Sequence, residues 1–275
     1  MANKLNESDY DQYFLAEKLI AFKGLHSDDS MDQHGLIAKL DADNTLALIK
    51  RGLSHVKLNF PVECALDIGC GAGNISRLLV EEKIAEYVVG VDKSKDMLKY
   101  AKASSNDDTL HYNYVNANVA ADDLLTVVGK KVPLVVQTYM LTHAETSDQL
   151  LHILSNIAKV SCGLFVGLIP NPNIDFTSDV VKKLIIHGIK YTVPEEGKSR
   201  KDGMAYQVTF EHGTPQEFTL VDHWYSTATY EKMFEQVGFK FLEWIPAEAI
   251  RNKDNAYLAD IIESKTVIGY IARKI

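Results

Sequence analysis

The residues best suited to chemistry lie in one short stretch, Ala65-Leu66-Asp67-Ile68-Gly69-Cys70-Gly71-Ala72-Gly73. An apolar run leads into it and a helical pattern leaves it. Glycines at such a junction allow a tight turn and let a ligand approach the backbone closely. Their spacing is GxGxG, with Asn74 where a dinucleotide fingerprint has its third glycine. That fingerprint aims a helix N-terminus at a pyrophosphate. Asp67, two residues before the first glycine, would meet a pyrophosphate with like charge. It suits a ligand carrying an ammonium and a sulfonium, as S-adenosylmethionine does. Asp92 ends the next apolar run, nineteen residues past Gly73. A carboxylate there can accept hydrogen bonds from both hydroxyls of a ribose. Asp92 therefore argues for a nucleoside, NAD included, and the glycine spacing chooses between ligands.

Further along, Tyr139 and His143 follow another apolar run, and Tyr225 closes an alternating segment. These three are the candidates for positioning an acceptor. His143 can serve as a general base or as a hydrogen-bonded structural histidine. Of His223, Trp224 and Tyr225, some must face a cleft, because strand side chains alternate. Cys70 reads as a small residue filling its loop, not as a nucleophile. Lys198-Ser199-Arg200-Lys201 is either a solvated loop or an attractor of anions.

Asp67 through Gly73 together with Asp92 resemble the first two motifs of class I S-adenosylmethionine-dependent methyltransferases, over about residues 60–170. The resemblance implies cofactor contacts from Asp67, Gly69, Gly71, Gly73, Asp92, Lys93, Met97, Asn118, Val119 and Gln137. Asn118 stands where the family often has an aspartate for the adenine amino group; a turn-forming role is the alternative. Pro133 stands near a commonly acidic position. The family often builds a lid from its N-terminal helix, which gives Tyr13, with Tyr10, a place at the cofactor. The segments Gly167–Asn173, His223–Glu231 and Val237–Phe239 resemble a narrower group of small-molecule methyltransferases, of the toxoflavin-pathway N-methyltransferase type. That group implies a small acceptor.

The elements must position these residues. Apolar, β-branched runs at Cys64–Ile68, Tyr87–Val91, His111–Val115, Leu134–Thr138 and Leu164–Ile169 alternate with helical patterns at Ile75–Lys83, Ser94–Ala103 and Asp148–Val160. Such alternation signals βαβ units and a parallel sheet buried on both faces. The rhythm then breaks. Phe176–His187 reads as a helix closed by Gly188, and Met204–Glu211 and Glu217–Tyr225 read as a hairpin. Ser226 starts a helix that ends near Gly238, and Phe239–Ile245 and Thr266–Ala272 are two more strands. Before the first core strand, Asp9–Phe22 and Asn44–Val56 look helical, with a loop over Gly24–Gly35.

The expected fold is α/β, a doubly wound, mostly parallel seven-stranded sheet of Rossmann-like methyltransferase type. A β-hairpin and helix form an inserted cap at about 171–225. Residues 1–58 form an N-terminal helical lid region and 59–275 the methyltransferase domain. The last strand, Thr266–Ala272, should be antiparallel.

With 37 acidic against 29 basic residues, the net charge of −8 lacks the basic field that nucleic-acid binders use against phosphates. No apolar run approaches the length of a membrane span, and the polar start lacks the core of a signal peptide. Cys64, Cys70 and Cys162 form neither a zinc nor a disulfide pattern. These readings place the chain in the cytoplasm, with no metal, no nucleic acid and no membrane partner. A homodimer through the hairpin stays one open reading. The expected reaction is methyl transfer from S-adenosylmethionine to a small acceptor. The alternatives are a silent S-adenosylmethionine-binding protein and an NAD-dependent oxidoreductase.

Overall fold

A computed structural model of the chain describes residues 33–106, 108–194, 200–248 and 255–275. Tyr10, Tyr13, the helical signal at 9–22 and most of the expected loop at 24–35 lie outside them. The described helix α1, Gln33–Gly52, already includes the end of that expected loop. The helix is longer than the pattern 44–56 suggested, and Leu53–His55 continues it as a 3₁₀ turn.

The core then alternates strand and helix as expected. In order come β1 (Ala65–Ile68), α2 (Asn74–Glu81), β2 (Val88–Asp92), α3 (Lys95–Ser104), β3 (Tyr112–Asn116), α4 (Leu124–Val128), β4 (Val132–Thr138), α5 (Ser147–Val160) and β5 (Ser161–Pro170). Local chemistry sets the helix starts. Ser94 caps α3 by accepting from the Met97 N–H, and Thr146 caps α5 by accepting from the Gln149 N–H, each satisfying an orphan amide of a first turn.

The insert holds α6 (Asp179–Lys183), a 3₁₀ turn at Leu184–His187, β6 (Lys190–Thr192), β7 (Met204–Phe210) and β8 (Phe218–Trp224). The helix expected over Phe176–His187 is thus much shorter. Asp175 Oδ1 accepts from the Thr177 N–H and hydroxyl, and Ser178 caps α6, so side chains hold the first residues in a turn instead. Gly188, at φ 73°, closes the segment as expected. The hairpin is present, with Met204 opposite Trp224 and Phe210 opposite Phe218. A third strand, β6, pairs with β7 where the sequence showed no clear pattern.

After the insert come α7 (Thr227–Gln236), β9 (Phe239–Pro246), α8 (Ala256–Ser264) and β10 (Val267–Lys274). Helix α8 had no counterpart in the pattern reading. The main sheet runs β3-β2-β1-β4-β5-β10-β9, seven strands in which β1 to β5 are parallel and β10 is antiparallel to both neighbours. One face packs on α5 and α7 through Leu150, Leu154, Phe165, Phe234 and Tyr270. The other packs on α1 and α2 through Leu48, Ile49, Leu79 and Val166. The C-terminal half of α1 thereby belongs to the core. The small sheet β6-β7-β8 has its own cluster, with Tyr206, Val208, Tyr257 and Ile261.

Candidate active site

Strand order reverses between β2-β1 and β4, and in open sheets the crevice at such a switch point binds ligands. A cavity of about 300 Å³ lies there. Its floor is the glycine loop. Gly69, Gly71 and Gly73 all have positive φ, 68°, 53° and 81°. A Cβ at Gly69 would lie 2.8 Å from Met140 Cβ, and one at Gly73 2.6 Å from the Tyr114 hydroxyl oxygen. These positions therefore exclude side chains through both backbone and space.

Asp92 lines the cavity beside the loop. Its Oδ2 accepts from the Gly71 N–H at 2.9 Å and its Oδ1 from the Ser94 N–H at 2.8 Å. Burial raises its carboxyl pKa above the ordinary aspartate value, and the two N–H bonds oppose that rise. Lys93, Met97, Asn118 and Val119 stand around it on the same wall. Asn118 acts as a turn residue, its Oδ1 accepting from the Ala120 N–H at 3.0 Å, while also facing the cavity.

Several expected contacts take other positions. Asp67 does not line the cavity. It is 1% exposed and accepts from the Ser76 hydroxyl at 2.6 Å, which places the carboxylate under the first turn of α2, where the helix dipole favours it. The expectation that it faces the ligand's cationic groups is corrected accordingly. Gly73 also lies off the lining, as the N-cap of α2. Gln137 is fully buried behind the wall. Its amide donates to the Leu168 carbonyl and the Tyr270 hydroxyl, and its Oε1 accepts from the Met140 N–H at 2.9 Å. It shapes the turn after β4 and does not line the cavity.

That turn carries Tyr139 and His143, and both line the cavity. Tyr139 sits at φ 64°, a conformation that costs a bulky residue about 1–3 kcal/mol and recurs at functional sites. Its hydroxyl donates to Asp41 Oδ1 on α1 at 2.6 Å. The ring of His143 has Nδ1 3.6 Å from Asp222 Oδ1 of β8. Burial pushes the imidazole below its usual pKa, and the Asp222 carboxylate pulls it back up.

Tyr225 is not at this cavity. It is 1% exposed, and its hydroxyl donates to the Ala144 carbonyl at 2.7 Å. Trp224 donates from Nε1 to the Pro172 carbonyl at 2.8 Å. The insert instead faces the cavity through Ile189, Tyr191, Val208, Phe210, Leu220 and Asp222. Pattern reading missed this set. The signal available was period two: Leu220 and Asp222 share a face of β8, and Asp222 is an isolated acid in Phe218–Val221's apolar company. Ile37 and Asp41 of α1 complete the wall, and nothing local in the sequence marked them.

Comparison with known proteins agrees with this geometry. Residues 65–161 match the methyltransferase domain family. Over 121 residues the chain is 26% identical to putative methyltransferase 235L of Invertebrate iridescent virus 6, covering 43% of this chain and 42% of that one. Over 68 residues it is 40% identical to trans-aconitate 2-methyltransferase of Rhodopseudomonas palustris (strain BisB18), covering 25% of each. The alignments thus span less than half of either relative. Among solved structures, magnesium protoporphyrin IX methyltransferase of Synechocystis PCC 6803 with bound S-adenosylmethionine superposes with a TM-score of 0.58 at 12% identity, over all of both chains. The chain has the class I methyltransferase fold. Its residues 65–161 match the methyltransferase domain family, and the Synechocystis neighbour holds S-adenosylmethionine.

Among the described residues, no helix is long and apolar enough to cross a membrane.

Proposed function

We propose that the chain transfers the methyl group of S-adenosylmethionine to a small-molecule acceptor held under the insert. The observation that carries this reading is the Gly71 N–H bonded to Asp92. A dinucleotide site needs its loop amides for the pyrophosphate. Here the Asp92 carboxylate already holds one of them, the Gly71 N–H, and the GxGxG spacing lacks the third glycine of that site. The same carboxylate retains lone pairs for ribose hydroxyls. Met97 and Val119 offer apolar contact to an adenine, and Asn118 stands beside them. The loop glycines leave room for the amino-acid end of the cofactor. The residues present therefore fit S-adenosylmethionine.

When bound, that cofactor supplies an electrophilic methyl on a sulfonium. The chain's own part is orientation. Holding nucleophile and methyl in a near-attack pose supplies roughly 7–11 kcal/mol. The aromatic and aliphatic face of β6, β7 and β8 suits a flat, largely apolar acceptor. The narrower likeness to toxoflavin-type enzymes at His223–Glu231 supports small size in the same way. Tyr139 and His143 position the acceptor.

Calorimetry with S-adenosylmethionine and with NAD tests the cofactor, and label transfer from methyl-tritiated cofactor to a panel of phenols, amines and acids tests the reaction. Tight NAD binding without S-adenosylmethionine binding would overturn it. Cofactor binding with no transfer to any acceptor would favour a silent binding protein.

A further inference from the structure

We propose that Asp222 of the insert selects the acceptor, and that the acceptor is a flat ring compound carrying an ammonium or N–H donor and no carboxylate. The inference rests on the methyltransferase reading and adds the acceptor class and the residue that chooses it.

The small sheet turns one face to the cavity, and its register shows what that face offers. Tyr191, Val208 and Leu220 are cross-strand neighbours in one row, and all three line the cavity. Strand side chains two apart share a face, so Asp222, two residues past Leu220, leaves β8 on that same side. It lines the cavity as well. In the row on the other side of Leu220 stand Phe210 and Phe218, stacked with ring centroids 5.2 Å apart. The face is therefore an apolar platform with a carboxylate at one end.

That carboxylate is short of donors. Asp222 is 7% exposed, and a buried charge is costly unless donors compensate it. An ionised carboxylate has about four acceptor sites. Tyr206, the cross-strand neighbour of Asp222, donates its hydroxyl to one. The Thr142 hydroxyl lies 3.1 Å from Asp222 Oδ1 but 2.7 Å from the Tyr139 carbonyl, and its one proton cannot serve both. His143 Nδ1, at 3.6 Å, is a charge contact and too long for a hydrogen bond. Burial accordingly raises the Asp222 carboxyl above the ordinary aspartate value, against the pull of these partners. A donor on the ligand supplies what the protein does not.

The charges around the cavity set the sign of the group that brings this donor. Among the described lining residues the one lysine or arginine is Lys93, which follows Asp92 on the cofactor wall. Asp41 of α1 adds a further carboxylate to the lining. A carboxylate on the acceptor would meet like charge from α1 and from β8, whereas an ammonium or N–H meets opposite charge. The register also sets a length. Neighbouring rows on one strand face lie about 6.5–7 Å apart. A ring seated on Leu220 therefore reaches Asp222 with a nitrogen placed one or two carbons off the ring.

The test uses the full chain saturated with S-adenosylhomocysteine, and probe pairs that differ in one group: phenethylamine against phenylpropionate, and tryptamine against indolepropionate. Calorimetry or ligand-observed NMR at neutral pH reads each dissociation constant. The wild type should bind each amine at least tenfold more tightly than its carboxylate twin, as a hydrogen bond to a charged group allows. Asp222→Asn should erase that preference and leave the dissociation constants of S-adenosylmethionine and S-adenosylhomocysteine unchanged. Equal binding of the twins by the wild type, tighter binding of the carboxylates, or no amine binding at millimolar concentration overturns the inference, and these arms need no variant. If Asp222→Asn weakens both twins equally, Asp222 merely holds the insert in shape; if it weakens S-adenosylmethionine instead, Asp222 serves the cofactor. Either result overturns the inference too, while the methyltransferase reading survives. If the wild type binds neither S-adenosylmethionine nor S-adenosylhomocysteine, that underlying reading fails instead.

Discussion

The floor and the roof of the cavity are built from different materials. The floor is backbone: Gly69 and Gly71 at positive φ, with an added Cβ at Gly69 overlapping Met140, and the Gly71 and Ser94 amides bound to Asp92. The roof is side chain: Tyr191, Val208, Phe210, Leu220 and Asp222 project from a small sheet with its own apolar cluster. A backbone shape cannot be exchanged one residue at a time, whereas side chains on strands can. This difference suits a floor that holds an invariant ligand and a roof that chooses among variable ones.

The contrast breaks most easily at the glycines. Gly73→Val places a branched side chain at φ 81° against the Tyr114 hydroxyl. The backbone costs about 1–3 kcal/mol and overpacking costs ~1–3 kcal/mol more. Urea unfolding should show a loss of roughly 2–6 kcal/mol by these two terms, and cofactor binding should disappear with it.

In the proposed binding mode Asp92→Ala removes a charged acceptor for two ribose hydroxyls, where each bond is worth about 1.5–3 kcal/mol. Calorimetry should show at least a tenfold weaker S-adenosylmethionine complex in a folded protein. The pH dependence sharpens this. Burial sets the Asp92 carboxyl above the ordinary 3.8 of an aspartate. Only its ionised form accepts from both hydroxyls at full strength. Wild-type affinity should therefore fall as pH drops through that raised value, and Asp92→Asn should flatten the acid limb.

The roof predicts smaller and separable effects. Tyr191→Ala removes an apolar body worth about 1.5–3 kcal/mol of burial, so acceptor KM should rise roughly tenfold with the cofactor dissociation constant unchanged. Tyr225→Phe, directly after β8 but off the cavity, loses only its bond to the Ala144 carbonyl. Its cost should be about 1–2 kcal/mol of stability, read by thermal unfolding, with kcat/KM intact. If Tyr225→Phe moves KM and Tyr191→Ala does not, the assigned roof is wrong.

The sequence by itself determined what depends on neighbours in the chain. Apolar runs of strand and helix period announce the alternating core, and Ser226 announces the start of α7, because periodicity and capping act within a few residues. The GxGxG turn and Asp92 were legible for the same reason, since one strand end carries each. The meaning of Asp67 and Gln137 was not legible. Their types suit a ligand, but Ser76 and the Leu168–Tyr270 pair claim them, and those partners are fixed only when helix and strands pack. Tyr225 failed likewise, because its hydroxyl finds Ala144, eighty-one residues away. Helix α8 and strand β6 lacked strong local signals and take their form from the cluster they share with the insert. Asp41 with Tyr139, and Asp222 with His143, meet across ninety-eight and seventy-nine residues of chain. Only the tertiary structure decides such pairs, because chain separation hides them and docking of α1 and the insert onto the sheet creates them.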